Sequence, residues 1–165
     1  MERSLIGILG ASGKVGQLVC DYLVRNTGYI VKAGYRKTIP FLFNGRLRWQ
    51  FVDIQDKQKL FEFCRDCKII INCIGSSRNI NLNLAFMAHE VGAIYIDTYG
   101  TGKLKKELVN RDIVNSGCYI LGAGVYPGLT GIAMNYARER KYSIYSCDCK
   151  QYFENPTGIF KKRQI

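Results

Sequence analysis

Three glycines, spaced Gly10-x-x-Gly13-x-x-Gly16, stand between an apolar run and an amphipathic stretch. A strand-to-helix turn built this way can seat a diphosphate. One glycine permits the sharp turn, another lets the backbone approach a pyrophosphate without a β-carbon in the way, and Gly16 lets the helix lie close to the sheet. The helix N-terminus then offers free N–H groups and partial positive charge to the phosphates, so Gly10, Ser12, Gly13, Lys14, Val15 and Gly16 form the candidate cradle. About 20 residues beyond Gly16, where an NAD site carries a carboxylate for the ribose 2′-hydroxyl, the chain has Arg36 followed by Lys37. A guanidinium cannot accept those hydrogen bonds, but it can grip a 2′-phosphate in bidentate fashion. The expected cofactor is NADP(H). A P-loop is excluded, because Gly13-Lys14 is followed by Val15 rather than Ser or Thr and the upstream glycine is missing.

These residues need a scaffold, and the apolar pattern supplies one. Short apolar runs at 5–9, 29–35, 47–52, 68–74, 93–97 and 118–121 read as strands. Helical spacing appears between them. Residues 14–25 place Val15, Leu18, Val19, Tyr22 and Leu23 on one side, and Asp56 is placed to cap a helix running through Phe63 and Cys64, with Leu60, Phe61 and Cys64 apolar. Further helices are expected at about 81–91, 104–115 and 129–140. The run Ile69-Ile70-Ile71 is apolar on both sides, as a strand covered on both faces must be. Strands alternating with helices predict an α/β, doubly wound, Rossmann-type sheet of about six mainly parallel strands with helices on both faces. Ligands bind such sheets at the carboxyl ends of the strands. There Asp53-Ile54 would border the adenine, and Gly75-Ser76 would pass close to ribose and nicotinamide. The rhythm changes near Tyr142, which divides the chain into a dinucleotide-binding domain over 1–141 and, over 142–165, the start of or linker to a substrate or dimerisation domain.

Among the 165 residues, 24 Lys and Arg stand against 13 Asp and Glu, a net charge of +11. That excess attracts phosphates. The basic residues are spread out, without the aromatic interleaving that tracks a nucleic-acid strand, so no nucleic-acid partner is expected. Lys or Arg interrupts every apolar stretch, and the N-terminus runs straight into a strand, so neither a membrane span nor a signal peptide is expected. Seven cysteines, an odd number, with Cys20, Cys73 and Cys118 in apolar segments, suggest buried, reduced thiols and a cytoplasmic protein.

Five motifs taken together resemble the NADP-binding domain of the saccharopine dehydrogenase (saccharopine reductase-like) family. They are Ile8-Leu9-Gly10-Ala11-Ser12-Gly13-Lys14-Val15-Gly16, Ala33-Gly34-Tyr35-Arg36, Ile71-Asn72-Cys73-Ile74-Gly75, Ala93-Ile94-Tyr95-Ile96-Asp97-Thr98-Tyr99-Gly100 and Gly124-Val125-Tyr126-Pro127-Gly128. The resemblance covers residues 5–136. It implies an oxidoreductase that transfers hydride between a nicotinamide and an amino-acid-derived C=N or C=O group. It also implies that Asn72, Cys73, Ile74 and Gly75 line the ribose and nicotinamide side, and that Asp97, Thr98 and Tyr99 face the reaction cleft, with Tyr99 and Asp97 the catalytic candidates. Too few residues follow Gly128 to form the family's substrate-binding domain. Either the chain is the cofactor-binding part of a longer enzyme, or a partner or second copy, as in a homodimer, supplies the other half. A non-catalytic NADP(H) sensor and a basic module that binds nucleic acid are the competing classes.

Other chemistry is less well supported. Tyr99-x-x-x-Lys103 matches the Tyr-x-x-x-Lys of short-chain dehydrogenases, but Gly100 and Gly102 disfavour the helix that would align the pair, and Phe86, Met87 and Ala88 stand where a serine belongs. Cys64-x-x-Cys67 and Cys147-x-Cys149 have zinc-ligand chemistry, yet burial accounts for the first pair, and no metal is expected. His89 is the only histidine and is expected on a helix surface. With no second histidine, neither a Ser/His/Asp triad nor a histidine metal cluster can be assembled.

Overall fold

The computed structural model describes residues 5–40, 42, 44–75, 78–99, 102–113, 116–124 and 129. The chain divides into two compact units, Met1–Ala123 and Gly124–Ile165. The expected boundary at 141/142, the helix at 129–140 and the Cys147-x-Cys149 pair lie almost entirely outside the described residues.

The described residues of the first unit form six strands and four helices, with β2 and β3 joined by a loop: β1 (Leu5–Leu9), α1 (Lys14–Asn26), β2 (Ile30–Tyr35), β3 (Leu47–Phe51), α2 (Lys57–Cys64), β4 (Ile69–Asn72), α3 (Arg78–Glu90), β5 (Ile94–Asp97), α4 (Gly102–Asn110) and β6 (Tyr119–Leu121). They form one sheet in the order β3-β2-β1-β4-β5-β6, and every pairing is parallel. This is the Rossmann-type order, with the direction of winding reversing beside β1. Alternate residues of the central strands feed two cores. Ile6, Ile8, Val31, Ala33 and Leu47 pack with Cys20 and Val24 of α1 on one face. Leu9, Ile70 and Tyr95 pack with Leu60 and Phe63 of α2, Leu84 and Ala88 of α3, and Leu104 and Leu108 of α4 on the other.

Local chemistry fixes the helix ends. Asp56 caps α2, its carboxylate accepting from the Lys59 amide at 3.1 Å. The α1 C-terminus receives the Arg46 guanidinium, which donates to the Val24 and Thr27 carbonyls and places a cation at the negative end of the helix dipole.

Several boundaries differ from those expected. Helix α3 starts at Arg78, ahead of 81, and α4 spans Gly102–Asn110, because Arg111 and the positive-φ Asp112 form a turn that ends it. On α2 the buried face is Leu60, Phe63 and Cys64, while Phe61 is half-buried at its margin. The expectation of buried thiols holds for Cys20. Cys73 is half-buried and Cys118 is exposed, since Cys118 precedes β6, which among the described residues pairs on one side alone. Among the described residues no helix is long and apolar enough to cross a membrane.

Burial pushes the Cys20 and Cys64 thiols up to about 12, and those of Cys67 and Cys73 to about 11, from an ordinary 9.0. The unfolded chain releases these protons at lower pH than the folded one. Their stabilising contribution is therefore complete below pH 9 and is lost as pH rises through 11–12. The urea midpoint should fall clearly between about pH 8.5 and about pH 10.5. A midpoint that stays level would contradict the buried-thiol assignment.

Candidate functional site

The parallel sheet brings the carboxyl ends of its strands to one edge, and the loops there are tied together by backbone hydrogen bonds. From β3 towards β5, the order is Asp53-Ile54, Arg36-Lys37, the glycine turn, Cys73–Gly75 and Thr98-Tyr99. The Val52 amide donates to the Tyr35 carbonyl at 2.9 Å, Ala11 to Gly34 at 3.0 Å, Cys73 to Leu9 at 2.9 Å and Thr98 to Asn72 at 3.2 Å. Segments distant in sequence thus become neighbours along a single groove.

The turn itself depends on two missing side chains. Gly10 has φ +76°, and a β-carbon there would lie 2.9 Å from the Ile74 side chain and 3.0 Å from the Cys73–Ile74 backbone. A β-carbon on Gly16 would meet the Gly10 carbonyl oxygen at 2.3 Å and the Ala11 Cα at 2.6 Å. Gly13 is the N-cap of α1 and makes no side-chain cap bond, and no carboxylate stands in the first turn. The first backbone bond of α1 runs from the Gln17 amide to the Gly13 carbonyl, so the amides of Lys14, Val15 and Gly16 precede any intrahelical acceptor. Ser12 is half-buried, and its carbonyl accepts from the Gln17 side chain at 2.8 Å. Lys14 and Val15 are exposed. A turn with free amides, an uncompensated helix dipole and no β-carbon at its tightest points fits a diphosphate.

Arg36 and Lys37 are exposed just past β2, and neither makes an ion pair or hydrogen bond among the described residues. The arginine is therefore available to an anion. Asp53 is half-buried, its carboxylate accepting from the Gln55 amide at 3.0 Å, and Ile54 packs against the core. Gly75 is exposed and faces open space. Its neighbour Ser76 lies outside the described residues.

At the β4 and β5 ends the structure departs from the expected arrangement. Asn72 and Asp97 are both fully buried. The Tyr95 hydroxyl donates to Asp97 Oδ2 at 2.7 Å, and Asn72 Nδ2 lies 3.1 Å from the same oxygen and 3.2 Å from the hydroxyl. Asp97 Oδ1 accepts from the Tyr99 amide at 2.7 Å, and Asn72 Oδ1 from the Ile74 amide at 2.9 Å. Asp97 is thus an interior acceptor rather than a group facing a cleft, and Asn72 braces the loop instead of lining it. The reason is that both project from the sheet face covered by α2–α4. Burial and the adjacent carboxylate hold the Tyr95 hydroxyl well above its ordinary value, so it stays a donor. Tyr99 is 37% exposed, and its hydroxyl has no partner among the described residues. It precedes α4, whereas Lys103 lies in its first turn, so the two do not share a helical face. Sequence reasoning missed Tyr95. Its place in an apolar strand reads as core, and the signal that could have found it is the alternation Tyr95-x-Asp97, which puts a hydroxyl and a carboxylate on one sheet face.

His89 is half-buried on α3 and pairs its Nδ1 with the Tyr119 hydroxyl at 3.0 Å. It lines a cavity of about 340 Å³ with Gly92, Ala93, Ile94, Ser116, Gly117 and Cys118. That cavity opens near the amino ends of β5 and β6, away from the glycine turn. Among the described residues no group of three or more His, Cys, Asp and Glu side chains could hold a metal.

A Rossmann-type sheet with this turn at its first strand defines the class of dinucleotide-binding proteins. The chain belongs to the family described as the saccharopine dehydrogenase NADP binding domain, which it matches over residues 6–114, and its cofactor is NADP(H). No curated protein sequence matches it directly. Among solved structures it is similar to saccharopine dehydrogenase (L-Glu forming) from Saccharomyces cerevisiae, at 20% identity and a TM-score of 0.67, over 82% of this chain and 31% of the yeast enzyme. A short-chain dehydrogenase/reductase from Veillonella parvula, in complex with NADP, aligns at 15% identity with a TM-score of 0.55, over 72% of this chain and 67% of that one. Uronate dehydrogenase from Agrobacterium tumefaciens gives 15% identity and a TM-score of 0.51, over 61% of this chain and 42% of the other. At such identities the likenesses establish the fold. The chain spans under a third of the yeast enzyme's length.

Replacing Gly16 with alanine tests the backbone contact at the turn. An open helix position would gain stability from alanine. Here the added carbon meets backbone atoms that cannot swing aside, so Gly16→Ala should lose about 2 kcal/mol in chemical denaturation. A gain in stability would show that the helix does not press on the turn.

Proposed function

We propose that this chain is the NADP(H)-binding part of an oxidoreductase that transfers hydride to or from an amino-acid-derived C=N or C=O group. The observation that carries the reading is Arg36, exposed and unpaired among the described residues, beside a glycine turn that leaves helix amides free. In this reading the amides at the start of α1 and the backbone of residues 10–13 hold the pyrophosphate, with Lys14 adding charge. Arg36 grips the 2′-phosphate and Lys37 reinforces it. Asp53 and Ile54 border the adenine, and Cys73, Ile74 and Gly75 border the ribose and nicotinamide. The bound nicotinamide supplies the hydride, and the protein's part is to fix its position. Tyr99, whose hydroxyl after β5 has no partner among the described residues, is the candidate to hold or donate a proton at the substrate. Asp97 acts behind it, anchoring its amide.

The substrate is amino-acid-like, and its binding surface comes from chain beyond the nucleotide-binding domain at 1–141, with residues 142–165 leading into that surface, or from a second copy in a homodimer. The protein works in the cytoplasm, where its thiols stay reduced.

Isothermal titration separates the possibilities. NADPH should bind more tightly than NADH, and Arg36→Ala should weaken NADPH roughly ten- to hundredfold while leaving NADH nearly unchanged. Equal affinity for the two cofactors would defeat the role of Arg36. NADPH oxidation with candidate imines and oxo acids then distinguishes an enzyme from an NADP(H) sensor, which would bind without turnover.

A further inference from the structure

We propose that Tyr95 is a positioning residue for the nicotinamide end of the groove, a role that presupposes the cofactor orientation given above. Its hydroxyl is buried within a set of bonds that, among the described residues, reaches two loop amides. Through Asn72, the set reaches the Ile74 amide, and through Asp97, the Tyr99 amide. Thr98 closes the circuit, its hydroxyl donating to the Asn72 carbonyl at 2.9 Å. Residues 73–75 and 98–99 therefore share one internal anchor, although they follow different strands. The glycine turn has separate supports in the Gly34 and Gly10 carbonyls, which accept from the amides of Ala11 and Gly13.

The two ends of the groove meet through backbone, at the Cys73–Leu9 bond and the Gly10 contact with the Cys73–Ile74 peptide, but the Tyr95 hydroxyl holds the nicotinamide end alone. Buried polar bonds of this kind are worth most when every member is satisfied, and removing one hydroxyl leaves its partners short of a donor or acceptor. Tyr95→Phe keeps the ring that packs in the core and deletes only the hydroxyl. Its effect should appear at the Ile74 and Tyr99 loops, leaving the phosphate end intact.

The test uses two probes on the full chain. NADPH spans both halves, whereas adenosine 2′,5′-bisphosphate reaches only the adenine and phosphate half. Tyr95→Phe should weaken NADPH roughly tenfold and leave the bisphosphate within about twofold of the unmodified protein. The Ile74 and Tyr99 amides should exchange hydrogen faster, while those of β1 and β2 remain as protected as before. Equal weakening of both probes, or no weakening of NADPH, overturns the proposal. If circular dichroism finds Tyr95→Phe unfolded, Thr98→Val removes a more exposed link of the same set and is judged by the same selectivity. Failure of the unmodified protein to bind either probe would remove the cofactor reading itself, an outcome distinct from binding without selectivity.

Discussion

The whole nucleotide edge depends on backbone meeting backbone at the first turn. Helix α1 presses against residues 10–11 so closely that no β-carbon fits at Gly16, and Gly10 presses in turn on the Cys73–Ile74 peptide. These contacts set how far the helix N-terminus stands from the ends of β2 and β4. Moving the helix outward by one methyl group would shift its free amides away from the loops that share the groove. The electrostatic field of the helix and the geometry of the neighbouring strands are therefore one constraint, imposed by two hydrogens in place of side chains.

Around that contact the sheet distributes two kinds of chemistry. At the β2 end the charged groups are exposed, and Arg36 makes no ion pair or hydrogen bond among the described residues. At the β4 and β5 ends the polar groups turn inward, and Asn72 and Asp97 are the polar residues fully buried among the described ones. Burying a carboxylate is costly unless it is well hydrogen-bonded. Asp97 is compensated by the Tyr95 hydroxyl, the Asn72 amide and the Tyr99 backbone.

The exposed edges of the fold tell a related story. Cys118 lies open beside β6, which among the described residues has a neighbour on one side only, whereas Cys20, between α1 and the sheet, is sealed. The pattern of apolar residues could not separate these two cases, since both cysteines sit in apolar runs. Likewise Phe61 and Phe63 are equally apolar in sequence. Helical geometry sends Phe63 towards Gly7 and Gly34, where missing side chains leave room for its ring, and leaves Phe61 at the margin.

The sequence alone determined the strand and helix order, the parallel sheet, the glycine turn and the arginine at the end of β2. Each is written in local spacing: period two or near-continuous apolar runs for strands, period 3.6 for helices, and glycine where a β-carbon cannot stand. The tertiary structure alone decided that Asn72, Tyr95 and Asp97 meet. Parallel pairing sets Asn72 beside Asp97, and strand alternation points Tyr95 to the same face. Asn72, more than twenty positions away in sequence, thereby shares the Asp97 Oδ2 oxygen with the Tyr95 hydroxyl. Contacts between strands depend on register, and register follows from packing the whole sheet, which no local pattern encodes.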